Sequence, residues 1–424
     1  MSTPAIPAGA SQPNTGITPR AAWGILAFLW IAYVLNYVDR QVVFSIFPVL
    51  RAELGFSDAQ LGLIGTMFLW VYSLCMPVTG RIADVLRRDR IIITSLVLWS
   101  LATLGTGLST SATSLLAWRA VVGVTESLYV PAALATIAML HPGSTRSKAL
   151  AIHSSAQFTG IIGGGWYGGW AAEHVGWRPG FALLALAGIA YALVLWRVFR
   201  KMPHMGGPKQ RRAATPAAIF KSRCYLALAA AFFAFCTMLW TLYAWFPNFI
   251  YERYHLSMTQ SGLIATLYLQ ISCAAGVLTG GVLSDWMVKR IPSARFLIAV
   301  CGLAGCTPFA FLSSAADSLT GAKLASAAFG FIAGVYIANI FAAAYDVISK
   351  QNYGLGAGLL NLTGGLSGGA AILAAGVWKE SVGIVTLLKW EAIASAAGAF
   401  LLLAVVLNRF TRERRSALAA EESS

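Results

Sequence analysis

Apolar stretches of ~20 residues or more, each long enough to cross a ~30 Å hydrocarbon core, recur from end to end of this chain of 424 residues. Inside lipid every backbone N–H and C=O must find its partner within the protein, which makes helices the natural form for such stretches. The pattern predicts spans near 23–48, 59–79, 91–109, 114–139, 148–171, 180–199, 224–250, 260–284, 296–314, 324–345, 354–377 and 384–408. Composition points the same way. Hydrophobic residues make up 58% of the chain and charged residues 11%, whereas a soluble domain needs about a quarter charged to cover its surface.

The net charge of +15 reports topology and not a nucleic-acid partner, because the basic residues gather in alternate loops. Arg81, Arg87, Arg88 and Arg90 follow span 2, and Arg146 and Lys148 follow span 4. Arg200, Lys201, Lys209, Arg211, Arg212, Lys221 and Arg223 fill the loop after span 6. Lys289, Arg290 and Arg295 follow span 8, and Arg409, Arg412, Arg414 and Arg415 open the C-terminal tail. By the positive-inside rule both termini are expected in the cytoplasm, with residues 1–22 a disordered N-terminal tail and 409–424 a C-terminal tail. The six cysteines lie in or beside apolar runs without a CxxC pair, as packing residues do.

The basic segment 200–223 is the one long polar linker, and it divides a bundle over 23–199 from a bundle over 224–408. The halves share a pattern. Gly55-Phe-Ser-Asp-Ala-Gln-Leu-Gly-Leu-Ile-Gly-Thr66 aligns with His255-Leu-Ser-Met-Thr-Gln-Ser-Gly-Leu-Ile-Ala-Thr266, and Gly80-Arg-Ile-Ala-Asp84 with Gly281-Val-Leu-Ser-Asp285. A repeat of six spans plus six is a common plan of secondary transporters, with the solute site between halves near the midplane.

Gly80…Asp84…Arg87-Arg88-Asp89-Arg90, with its second copy at Gly281…Asp285…Lys289-Arg290, resembles the loop signature of the major facilitator superfamily. The first copy departs from the pattern: Val85 stands where a basic residue is usual and Arg87 where a glycine is usual. Asn36-Tyr37-Val38-Asp39-Arg40, Trp70-Val-Tyr72, Arg119-x6-Glu126 with Pro131, Ser155-Ala-Gln157-Phe-x-Gly160 and Trp245-Phe-Pro247 resemble the anion:cation symporter family, which includes bacterial sugar-acid symporters of the D-galactonate type. The resemblance implies an all-α membrane protein of twelve transmembrane helices in two pseudo-symmetric six-helix bundles, the major facilitator fold.

Ionisable residues deep in a span are costly and so mark function by default. Arg119 and Glu126 lie seven residues apart, which puts them on one helix face ~10.5 Å apart along the axis. Asp39 and Arg40 point about 100° apart on span 1. A buried structural network of two acids and two bases would also be neutral overall. By the resemblance, Arg40 binds a substrate carboxylate, Asp39 and Glu126 respond to protons, and Arg119 partners one of these acids. Tyr72, Gln157 and Asn361 are expected to line the substrate pocket, with Asn339, Tyr243, Tyr268 and Gln270 as weaker candidates. His153 reads as a structural histidine. Gly80, Asp84, Arg88 and Asp285 are expected to form a conformational latch between neighbouring spans.

Other signals are rejected. Gly163-Gly-Gly165-Trp-Tyr-Gly168 fits GxGxxG but lies inside a span without a preceding strand, so its small residues read as helix packing. No GxxxxGK[ST] is present, nor HExxH or another metal-ligand cluster. The chain reads as no enzyme, needing no cofactor beyond a proton as coupling ion. The expectation is a monomer in the lipid bilayer of the bacterial cytoplasmic (inner) membrane that takes up a small organic anion together with a proton. Antiport or uniport of another solute class, including spinster-like lysolipid transport or organophosphate exchange, stays open at this level.

Overall fold

A computed structural model describes residues 17–141, 145–200 and 216–422. The helices, in order, are α1 (Pro19–Ser45), α2 (Phe47–Leu54), α3 (Asp58–Val85), α4 (Arg88–Gly107), α5 (Ala112–Ser127), α6 (Tyr129–Leu140), α7 (Arg146–His174) and α8 (Trp177–Arg200). After the short α9 (Pro216–Lys221) come α10 (Arg223–Tyr254), α11 (Met258–Val288), α12 (Ala294–Ala315), α13 (Leu319–Tyr345), α14 (Tyr353–Val382) and α15 (Ile384–Glu422).

Among the described residues, eleven helical segments, α5 and α6 counting together as one, are long and apolar enough to span a bilayer. The twelfth span is α7, whose serines, glycines, His153 and Gln157 dilute its hydropathy. It tolerates them because it packs between α1 and α11. The chain is therefore an integral membrane protein with the twelve-helix, two-bundle architecture. Most of the linker 200–223 lies outside the described residues. Helix α1 starts before residue 23, with Thr18 capping the amide of Ala21, and α15 runs on past residue 408 as one helix.

The repeat is visible in the way helices start. Ser57 and Ser257 accept from the amides of Gln60 and Gln260 at 3.3 and 3.2 Å. Ser111 and Ser318 do the same for Ser114 and Gly321. An N-cap serine satisfies an amide that the first helical turn leaves without a partner, worth about 1 kcal/mol. The turns before two of these caps match as well: Gly55 and His255 both adopt left-handed backbone, at φ 65° and 52°.

Prolines inside spans leave a carbonyl four residues earlier without its amide partner, and two of these carbonyls are answered by side chains. Pro131 frees the Ser127 carbonyl, which accepts from Thr79 of α3 at 3.0 Å, and here α5 breaks from α6. Pro247 frees the Tyr243 carbonyl, which accepts from the Gln41 amide of α1 at 3.1 Å. That second bond joins the two bundles.

Helices of alternating direction put the start of α1, the end of α15 and the turns at 86–87 and 289–293 on one side, called here the terminal side, and the turns at 55–57, 255–257 and 316–318 on the other, the far side. Inter-bundle contacts cluster on the far-side half of the molecule, along α3 against α14 and α7 against α11. Thr66 donates to the Gly369 carbonyl at 2.7 Å and Trp70 to the Leu366 carbonyl at 3.0 Å. A Cβ on Gly62 would fall 2.8 Å from the Ile372 carbonyl oxygen, so only glycine allows this approach. Five turns further along the same line of α3, Gly80 has nothing within 4 Å of an added Cβ, and Gly358, on the matching line of α14, has nothing either. The bundles meet on the far side and diverge toward the terminal side.

Candidate functional site

The four ionisable residues that the sequence singles out are all buried in the first bundle, at 1% (Asp39), 7% (Arg40), 1% (Arg119) and 0% (Glu126) relative exposure. Arg40 of α1 donates through Nε to Glu126 Oε2 of α5 at 2.7 Å. A charged pair this short and this far from water is strong while both members are present, and breaking one side strands the other in a low-dielectric interior. Aromatic rings enclose the guanidinium. Its carbon lies 4.8 Å from the centre of Tyr37, 5.0 Å from Phe68 and 4.3 Å from Tyr72, within the range of cation–π attraction.

The resemblance had Arg119 partner one of the acids. In this structure Glu126 is paired with Arg40, and Arg119 makes no hydrogen bond among the described residues. Its guanidinium carbon stands 5.0 Å from the same Phe68 ring that faces Arg40. Asp39 takes its hydrogen bond from the Thr103 hydroxyl of α4. Further polar atoms of this cluster are buried and without a hydrogen-bond partner: Arg40 Nη2, Asp39 Oδ1, Glu126 Oε1 and both amide atoms of Asn36. Buried polar groups are nearly always satisfied, so a concentration of spare donors and acceptors suits polar guests.

Of the expected pocket residues, Tyr72 stacks on Phe68 at 5.6 Å, and Gln157 accepts from the Tyr37 hydroxyl at 3.0 Å. One aromatic step therefore links Gln157 to Arg40. Asn361 stands apart from this cluster. Its amide donates to the Ala357 carbonyl of its own helix at 3.0 Å, and it lies one turn from Gly365 on the line of α14 that faces α3. It is exposed there because the bundles have already diverged. His153 is fully buried, stacked on Tyr33 at 4.5 Å with its Nε2 3.3 Å from the Tyr129 hydroxyl, the packing expected of a structural histidine.

The four latch positions lie in both bundles, Gly80, Asp84 and Arg88 in the first and Asp285 in the second. Arg88 is buried and reaches the Ala83 and Ala135 carbonyls at 3.5 Å, tying α4 to α3 and α6 inside the first bundle. Asp84 and Asp285 are exposed.

Sequence reasoning passed over Phe68, Thr103 and Glu391. Phe68 and Thr103 carry no signal in a chain rich in both types. Glu391 does, being a carboxyl inside the apolar span 384–408. It accepts from Thr241 of α10 at 2.8 Å, and its other oxygen is buried without a partner.

A family model described as the Major Facilitator Superfamily matches residues 29–372. The D-galactonate transporter of Escherichia coli is 23% identical, over 93% of this chain and 96% of its own. A probable sulfoacetate transporter of Cupriavidus necator is 27% identical, over 85% of this chain and 87% of its own. Protein spinster homolog 1 of Homo sapiens is 28% identical, over 80% and 68%. Among solved structures, a bacterial homolog of the human lysosomal transporter Spinster, inward-facing and unoccupied, superposes with a TM-score of 0.72 at 21% identity over 96% of this chain and 99% of that one.

Proposed function

The chain belongs to the Major Facilitator Superfamily, and from that premise we propose that it is a proton-coupled symporter of a small organic anion, a sugar acid or other carboxylate. The observation that carries this reading is the buried Arg40–Glu126 pair. Arg40 is the anion's docking point and Glu126 is the group the anion displaces. A carboxylate that takes the guanidinium leaves Glu126 without its counter-charge in an apolar interior, where a lone charge is expensive. A proton then neutralises Glu126, so anion and proton enter the occluded state together.

Asp39 stays on Thr103 through this exchange and, with Arg119, balances the charge of the site. Tyr37 and Gln157 turn hydroxyl and amide groups toward the substrate beside Arg40, which favours a hydroxylated carboxylate over a bare one. Relatives whose names give D-galactonate and galactarate or D-glucarate as cargo support the same class. The basic loops support an orientation with the terminal side in the cytoplasm, the conformation described being open to that side.

The test is thermal stabilisation of the purified protein by hexonates, hexuronates, dicarboxylates, aromatic acids, sugar phosphates, neutral sugars and lysolipids. Stabilisation by a hydroxylated carboxylate, lost in Arg40→Ala, is the expected result. Stabilisation by lysolipids or neutral sugars alone overturns the anion reading.

A further inference from the structure

Four charged side chains meet where the bundles close on the far side, and none belongs to the central cluster. The first bundle supplies Arg51 of α2 and Asp58, the first residue of α3, which pair with each other. The second supplies Glu252 near the end of α10 and Lys379 near the end of α14, which pair at 2.8 Å. The two pairs also join across the seam: Arg51 Nη1 reaches Glu252 Oε1 at 3.0 Å and Lys379 Nζ lies 3.8 Å from Asp58 Oδ2. Beneath them Phe47 and Trp245, both buried, meet across the bundles at 5.2 Å, with the Lys379 ammonium 5.4 Å from the Trp245 ring.

A second pin stands on the neighbouring seam. Glu173, at the end of α7, accepts from the backbone amides of Met258 and Thr259 and from the Thr259 hydroxyl. It thus sits on the N-terminus of α11 in the other bundle, where a helix favours negative charge. Ser257 also caps that helix from within its own bundle.

We infer that Arg51, Asp58, Glu252 and Lys379 form a reciprocal ionic gate, with Glu173 as its second catch, and that each bundle keeps its own acid–base pair when the gate opens. The inference rests on the transport reading above, in which the central site opens first to one side and then to the other, but not on the identity of the substrate. Opening gives up Arg51–Glu252 and Lys379–Asp58, while Arg51–Asp58 and Lys379–Glu252 travel with their bundles. No charge is stranded, and α11 retains Ser257. Such a gate biases the far side toward closure without locking it. Partly exposed pairs are individually weak, so the two cross pairs together shift the closed-to-open ratio by about two- to thirtyfold.

The test exchanges charges within one bundle. Glu252→Lys with Lys379→Glu keeps that bundle's own pair and the total charge, but makes both cross pairs repulsive. Arg51→Asp with Asp58→Arg does the same from the other side. All four changes together restore attraction across the seam. The readout is the rate at which a membrane-impermeant maleimide, added from the far side, labels Ser45→Cys in the reconstituted full-length chain. Ser45 is buried against Gly262 at this seam, and the parent with its native cysteines sets the background. Faster labelling in each double exchange, returning toward the parent rate in the fourfold exchange, is expected. Unchanged labelling in the doubles, or a fourfold variant as fast as the doubles, overturns the gate. Stabilisation by D-galactonate, measured on the same samples, separates the outcomes: its absence in the parent counts against D-galactonate as cargo, whatever the labelling shows.

Discussion

The two bundles share their scaffold and differ in their chemistry. Matching serines cap matching helices in each, and the turns at Gly55 and His255 take the same left-handed form. Counting along these shared landmarks, sixteen residues before each turn stand Asp39 and Leu239, followed by Arg40 and Trp240. Eight residues after Ser111 and Ser318 stand Arg119 and Ser326, and fifteen after them Glu126 and Ala333. Every charge of the central cluster has a neutral counterpart. What holds a helix in place recurs in both halves, whereas a charge deep in a span is costly and so marks function. On the proposed reading, anion and proton are handled by the first bundle, and the second closes over them.

The largest expected effect that tests this asymmetry comes from Arg40→Ala. Removing one partner of a buried pair costs about 3–5 kcal/mol, and the substitution also takes away the docking point, so uptake falls by at least about a hundredfold. Arg119→Ala is expected to impair uptake strongly, while Ser326→Ala, its counterpart in the second bundle, stays within about twofold because it removes only an exchangeable hydroxyl. Equal losses at Arg119 and Ser326 would break the comparison. Glu391 offers the sharpest challenge, since it is a half-buried carboxyl in the second bundle with one oxygen shut away from water. Glu391→Gln keeps the acceptor for Thr241 and is expected to leave the pH dependence of uptake unchanged. A flattened pH profile in that variant would move proton handling into both bundles. The smallest effects are in the shared scaffold: Ser57→Ala and Ser257→Ala should each cost about 1 kcal/mol, seen as similar small drops in thermal stability.

Much of the fold was legible because length and apolarity report membrane spans directly, and the repeat around Gly55 and His255 fixed how the spans group. Span ends were less legible. The Thr18 cap starts α1 early, and α15 runs past its apolar stretch because Glu413 accepts from Ser222 and from the amides of Arg223 and Cys224, bracing the end of one helix on the start of another. Within the site, the shared face of Arg119 and Glu126 followed from helical spacing alone. The partner of Glu126 did not, because Arg40 lies 86 residues away on another helix. Thr103 was hidden for the same reason, and the far-side ring joins four helices whose ends look like ordinary charged turns in sequence.

Proton uptake on anion binding reads the displacement of Glu126 from Arg40 itself. A pH indicator in weakly buffered solution would follow D-galactonate, or whichever carboxylate stabilises the protein, binding to the parent and to Glu126→Gln. On the proposed displacement, the parent takes up protons as the anion releases Glu126 from Arg40, and Glu126→Gln binds the anion with no such uptake. Equal proton uptake in both proteins would contradict it.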